Sequence, residues 1–113
     1  MGCLFCGVIQ REKPATILYQ DDLVTAFRDI RPRAPVHFLV VPNEHIASVT
    51  DLGPQHAAML ARLFVVARQL AESEGVADSG YRLVINVGRD AGQSVDHLHL
   101  HVLGGRPLGW PPG

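Results

Sequence analysis

The sequence predicts an α+β domain. Two observations carry that prediction: five runs in which residues alternate with the period of two expected of strands, and one long stretch, Pro54 to Glu74, in which apolar residues recur at helical spacing. At 113 residues and 47% hydrophobic content, the chain is one domain with a single core, 1–113. No repeat, low-complexity tract or linker divides it.

Leu4, Phe5, Val8 and Ile9 lie at helical spacing, so Leu4 to Gln10 is expected to form a short helix with an apolar side. Lys13-Pro14 ends that pattern. Ala15 to Tyr19 then reads as a strand that turns at Gln20-Asp21-Asp22 into a second, Leu23 to Asp29, making a hairpin. Phe27 and Asp29 share a face of the second strand, whereas Arg28 points the other way and receives no role. After the proline-stiffened Arg31-Pro32-Arg33-Ala34-Pro35, the third run, Val36 to Pro42, places His37, Leu39 and Val41 on one face.

Pro54 suits the first residue of the long helix, and Gly75 its stop. Met59, Leu60, Leu63, Phe64, Val66, Ala67, Leu70 and Ala71 form a side wider than one core contact needs, which predicts a second partner for the helix. His56, in its polar first turn, is expected to face solvent. The fourth run is Tyr81 to Val87, with Asn86 at its end.

The fifth run, 96–103, holds three of the six histidines. Period two sets His97, His99 and His101 on one face, and Leu98, Leu100 and Val102 on the face that can pack on a core. His97 and His101 are then roughly 13 Å apart at their Cα atoms, too far to share one metal ion comfortably. An imidazole is largely uncharged at neutral pH and nucleophilic, and a protonated neighbour can hold an anion or protonate a leaving group. Just upstream, Asn86 to Ser94 contains Gly88 and Gly92 around polar residues. Such glycines let backbone N–H groups approach a phosphate, with the Gln93 amide and Ser94 hydroxyl as further donors. Histidines beside such a cradle suit phosphoryl transfer.

Gly92-Gln93-Ser94-Val95-Asp96-His97-Leu98-His99-Leu100-His101-Val102-Leu103-Gly104-Gly105 resembles the signature of the histidine triad (HIT) superfamily. The ending, Gly105 to Trp110-Pro111-Pro112-Gly113, is similar to the Hint branch, and Phe27 to Ile30 and Ala34 to Pro42 also fit the family. The resemblance implies a HIT-like fold: a five-stranded antiparallel sheet with one long and one short helix, dimerising to a ten-stranded sheet. It implies a purine nucleoside phosphoramidase that cleaves the P–N bond of adenosine or guanosine 5'-monophosphate derivatives through a nucleotidyl-histidine. In that reading His99 is the nucleophile, His101 the acid and phosphate ligand, and His37 an orienting residue. Phe5, Phe27, Asp29, Ile30, Asn86, Gly92, Gln93 and Ser94 join His99 and His101 in binding the nucleotide, with Asp29 gripping the ribose hydroxyls. The tail, about 104–113, is expected to reach towards the dimer partner, with Trp110 near the partner's site.

Cys3-Leu4-Phe5-Cys6 is by itself open among a zinc half-site, a redox pair and two idle thiols, although no strand precedes it as in a thioredoxin-like arrangement. The resemblance implies a structural zinc held by Cys3, Cys6, His45 and His97, with no catalytic metal. Two other functions stand beside phosphoramidase: hydrolysis of dinucleoside polyphosphates in the manner of Fhit, and a nucleotide-binding regulatory dimer whose catalysis is incidental. A zinc hydrolase is less suited, because four protein ligands leave no position for water. A net charge of −1 gives no footprint for nucleic acid or an anionic membrane. No apolar stretch is long enough to span a bilayer, and the N-terminal residues lack signal-peptide character, so a cytoplasmic protein is expected.

Overall fold

A computed structural model describes residues 2–113. Its elements are α1 (Leu4–Ile9), β1 (Ile17–Gln20), β2 (Val24–Arg28), β3 (Val36–Pro42), α2 (Ala57–Ser73), β4 (Tyr81–Val84) and β5 (Leu100–Gly104). The five strands form one antiparallel sheet in the order β1-β2-β3-β5-β4.

The central strand β3 is covered on both sides, which is why its sequence reads as a near-continuous apolar run. On one face Val24, Ala26, Phe38 and Val40 pack with Leu98, Leu100 and Val102 against Met59, Leu63, Val66 and Ala67 of α2. On the other, Phe27, Leu39 and Val41 pack against Phe5 and Val8 of α1. Phe38 and Leu63 are wholly buried; side chains of this kind contribute about 1.5–3 kcal/mol each.

Polar contacts set the turns. The Asp21 carboxylate accepts the N–H groups of Leu23 and Val24 and the Tyr19 hydroxyl, and pairs with Arg62 of α2. Burial alone would raise its pKa, but the Val24 N–H, the Tyr19 hydroxyl, the Leu23 N–H and Arg62 outweigh burial and hold it at about 2. Arg28, on the α2 side of the sheet, donates to both carboxylate oxygens of Glu74 at 2.8 and 3.0 Å and so ties β2 to the end of α2.

Several expected boundaries shift. The long helix opens as a separate 3-10 turn, Pro54–His56, and becomes α-helical at Ala57. His56 is buried rather than solvent-facing, because its Nδ1 accepts the Gly53 N–H at 3.0 Å and its Nε2 lies 3.7 Å from Glu44. The fourth strand ends at Val84, although the alternation runs on to Val87. Its last ladder partner is His101, and β5 does not extend past Leu100, so Asn86 and Val87 have no strand to pair with. The fifth strand begins only at Leu100, which leaves His97 and His99 outside the regular ladder. No helix among the described residues is long and apolar enough to cross a membrane.

Candidate active site and metal cluster

The place where the β3–β5 ladder stops decides the site. Its last pair is Val40–Leu100. Pro42 lacks the N–H that would continue it. The Pro42 carbonyl instead accepts the Nε2–H of His97 at 2.8 Å, and the Leu98 N–H goes to the Ile46 carbonyl at 2.7 Å. The segment bends through Val95 to His97 before the strand begins, with Leu98 in the core and the histidines on the opposite face.

These bonds assign the imidazole protons. His97 donates from Nε2, so its Nδ1 keeps a lone pair. The His99 Nδ1–H donates to the His97 carbonyl at 2.7 Å, so the lone pair of His99 is on Nε2, which no group among the described residues bonds. At the other end of the row, the Arg33 backbone N–H donates to His37 Nδ1 at 3.0 Å. The one proton of neutral His37 is then on Nε2, and it donates to His101 Nδ1 at 3.0 Å. His101 is left with its N–H on Nε2. The row thus presents an unprotonated nitrogen at His99 and a donor at His101, with ring centroids 5.0 Å apart.

Burial pushes the His101 imidazole down to about 4, helped by His99 and His37 and opposed by the Asp29 carboxylate. Burial likewise lowers His37, against the pull of Asp29, and lowers His97. All three are uncharged near neutral pH, as the bonding pattern requires.

A cleft of about 350 Å³ opens in front of this row. Phe5 from α1 and Phe27 from β2 meet edge to face, centroids 5.3 Å apart, and Phe5 also stands edge-on to His99 at 5.1 Å. Asp29, just past β2, is held by its N–H to the His37 carbonyl at 3.1 Å, while its Oδ1 accepts the Arg31 N–H at 2.8 Å. The cleft thus combines apolar walls with one carboxylate and two imidazoles.

Behind Phe5 lies a second cluster. Cys3 caps the N-terminus of α1, its Sγ accepting the Cys6 N–H at 3.3 Å. His97 Nδ1 is 3.3 Å from Cys3 Sγ and 3.6 Å from Cys6 Sγ, and His45 Nδ1 is 3.3 Å from Cys6 Sγ. The four ligand atoms lie within 4.8 Å of one another and could hold a metal ion. The fit is chemical as well as spatial. Two thiols and two imidazoles suit a borderline-soft divalent ion, the edges of a tetrahedron around a zinc-sized ion are about 3.3–3.8 Å, and the His97 lone pair already faces the sulfurs.

The family model described as the HIT domain matches residues 10–108. The chain belongs to the HIT domain family. The purine nucleoside phosphoramidase of Escherichia coli K12 is 54% identical over 106 residues, spanning 94% of this chain and 89% of that protein. The crystal structure of a HIT family hydrolase from Legionella pneumophila Philadelphia 1 is 49% identical with a TM-score of 0.97, covering 99% of this chain and 100% of that one. A zinc-bound histidine triad family protein from Mycobacterium smegmatis is 32% identical with a TM-score of 0.81, covering 100% of this chain and 81% of that one. The HIT fold expected from the triad is the fold observed.

This HIT domain brings Phe5, Phe27, Asp29, Ile30, Ser94, His99 and His101 together around the cleft, with His37 directly behind His101. Asn86, Gly92 and Gln93 do not line it. Gln93 is engaged inside its own loop: its amide donates to the carbonyls of Ala47 and Val95 at 2.8 and 3.0 Å and accepts the Gly88 N–H at 3.0 Å. Gly92, at φ +82°, makes the turn that allows this. Trp110 is 81% exposed. Leu39 and Val95 line the cleft without having been singled out from the sequence. Leu39 was recoverable, since it shares parity with His37, whereas Val95 carries no signal of its own.

Proposed function

We propose that this HIT domain is a hydrolase of the purine nucleoside phosphoramidase type, cleaving the P–N bond of adenosine or guanosine 5'-monophosphate derivatives. The observation that carries the reading is the tautomer of His99, whose bond to the His97 carbonyl leaves the lone pair of the neutral ring on Nε2 at the cleft. Nε2 attacks the α-phosphorus, the P–N bond breaks, and the amine leaves with a proton from His101. The nucleotidyl-histidine is then opened by water, which returns a proton to His101 and frees the nucleotide. A phosphate in front of His101 opposes the burial that holds its free imidazole at about 4, so bound substrate favours the charged acid that the step needs.

Phe5, Phe27 and Ile30 hold the base, Asp29 accepts the ribose hydroxyls, and Ser94 donates to the phosphate. Gly92 and Gln93 shape the loop that carries Ser94, and Asn86 at its mouth offers an amide to the nucleotide. His37 orients His101. Release of AMP from an adenosine phosphoramidate with an aromatic amine tests the reaction. Turnover in the wild type that is lost by several orders of magnitude in His99→Ala supports it. Undiminished turnover in His99→Ala overturns it.

Cys3, Cys6, His45 and His97 are assigned to a structural zinc, supported by their donor geometry. A zinc ion there would be held by four protein ligands and would supply rigidity, not chemistry. Two free thiols at this site suit the reducing cytoplasm. A homodimer is supported by Phe64, Val65 and Leu83, which are 42%, 43% and 40% exposed on α2 and on the edge strand β4. The exposed Trp110 on the tail is free to reach the partner.

A further inference from the structure

We propose that Asp29 is a positioning residue for His101: its carboxylate is the alternate hydrogen-bond acceptor that lets the His37–His101 pair take up the proton needed by the leaving group. This goes beyond its part in ribose binding, and its kinetic consequence rests on the phosphoramidase reading.

Arg33 N–H occupies His37 Nδ1, so His37 must donate from Nε2 to His101 Nδ1. A neutral His101 holds one proton, on Nε2, and is a poor acid, because giving it up would leave an imidazolate. Acid catalysis needs His101 protonated on both nitrogens. His101 Nδ1–H would then face His37 Nε2–H, two donors 3.0 Å apart with nothing between them to accept. His37 cannot reverse its tautomer, because the Arg33 N–H blocks Nδ1.

Asp29 resolves the conflict. Its Oδ2 lies 3.4 Å from His37 Nε2 and 4.0 Å from His101 Nδ1, and it is the one carboxylate among the described residues within 4.0 Å of the pair. Its Oδ1 and N–H are both anchored, to Arg31 and His37, so the free oxygen is aimed rather than swinging. When His101 gains its second proton, either N–H can turn to Oδ2. When the amine takes the proton away, His101 Nδ1 again accepts from His37. The other groups facing His101 are the rings of His99 and His37, and Arg33 faces His37; none of these stabilises an added positive charge. The three side chains are also close enough to share a cation. Yet His37 has an N–H, not a lone pair, at that position.

The test compares wild type with Asp29→Asn, which keeps the shape and removes the charge. Nitrogen-15 NMR titration of the free protein should show His101 protonating at least tenfold less readily, a shift of about one unit or more. Kinetics should use 2',3'-dideoxyadenosine substrates, which have no diol for Asp29 to bind. The fall in kcat caused by the variant should be at least about tenfold larger with an alkylamine leaving group than with a p-nitrophenyl ester, whose leaving group needs no proton. An unchanged His101 titration, with the variant differing only in KM for substrates that carry the diol, overturns the proposal. A wild type that titrates as expected but cleaves no phosphoramidate overturns the reaction assigned above instead.

Discussion

The carbonyl oxygen of His97 accepts the Nδ1–H of His99 at 2.7 Å, while the Nδ1 of His97 itself lies 3.3 Å from Cys3 Sγ. One residue therefore belongs to both centres. Its ring closes the cysteine–histidine cluster, and its backbone sets the tautomer of the histidine assigned as nucleophile. Phe5, between Cys3 and Cys6, makes a second bridge, edge-on to both His97 and His99.

Metal content should follow from this. Elemental analysis is expected to find one zinc per chain in the wild type and none in Cys3→Ser. Loss of the bound ion should cost about 2 kcal/mol or more, which lowers the melting temperature of a domain of this size by roughly 8 °C. A metal-free wild type with the same melting temperature as the variant would refute the zinc assignment.

Acid stability depends on His101. Its folded pKa of about 4 lies below the unfolded value of 6.5. Between those values the unfolded chain binds the extra proton, so stability rises with pH there. The contribution is fully present above pH 6.5 and is lost as pH falls towards 4. Denaturant titrations of wild type and His101→Gln should therefore differ in slope in that window, by up to about 3 kcal/mol in total, and run parallel above it.

Gln93 makes an internal brace, so its removal should act on the loop before it acts on chemistry. Gln93→Glu keeps an acceptor for the Gly88 N–H and loses the donors to Ala47 and Val95. Faster hydrogen exchange over residues 88–95 is expected, with a fall in kcat/KM of about tenfold, equivalent to one lost hydrogen bond at roughly 1.4 kcal/mol. Unchanged exchange with lost activity would mean that Gln93 meets the substrate directly.

Self-association should depend on the apolar strip formed by α2 and β4. Light scattering on a sizing column is expected to give a dimer for the wild type and a monomer for Phe64→Glu with Leu83→Lys, since buried unpaired charges oppose a C2 interface. A monomeric wild type would remove the dimer from the reading.

The sheet was largely legible because alternation reports burial. Phe27, Leu39 and His101 fall on one face as their parity requires, and Leu98, Leu100 and Val102 on the other. Alternation does not report pairing, which is why Val87 and His97 read as strand residues and are not. The candidate site was legible as residue types, not as proton positions. These depend on backbone groups at Arg33, Pro42 and His97, and a backbone carbonyl or N–H leaves no mark in the identity of its residue. Gln93 shows the same gap from the other side: the sequence reveals that an amide is present, but not that the loop has already used it.

Pro42 carries a wider consequence. Within a strand, the N–H and C=O of a residue point to the same neighbour. By withholding one and leaving the other, Pro42 ends the ladder with an unclaimed carbonyl, and the His97 side chain takes the place of a backbone donor. His99 repeats the substitution one step on, against the His97 carbonyl. Side chains here do the pairing that main chain does elsewhere, and in doing so they acquire fixed orientations and fixed protons. A more regular sheet at this point would keep its histidines but lose control over which nitrogen each one offers.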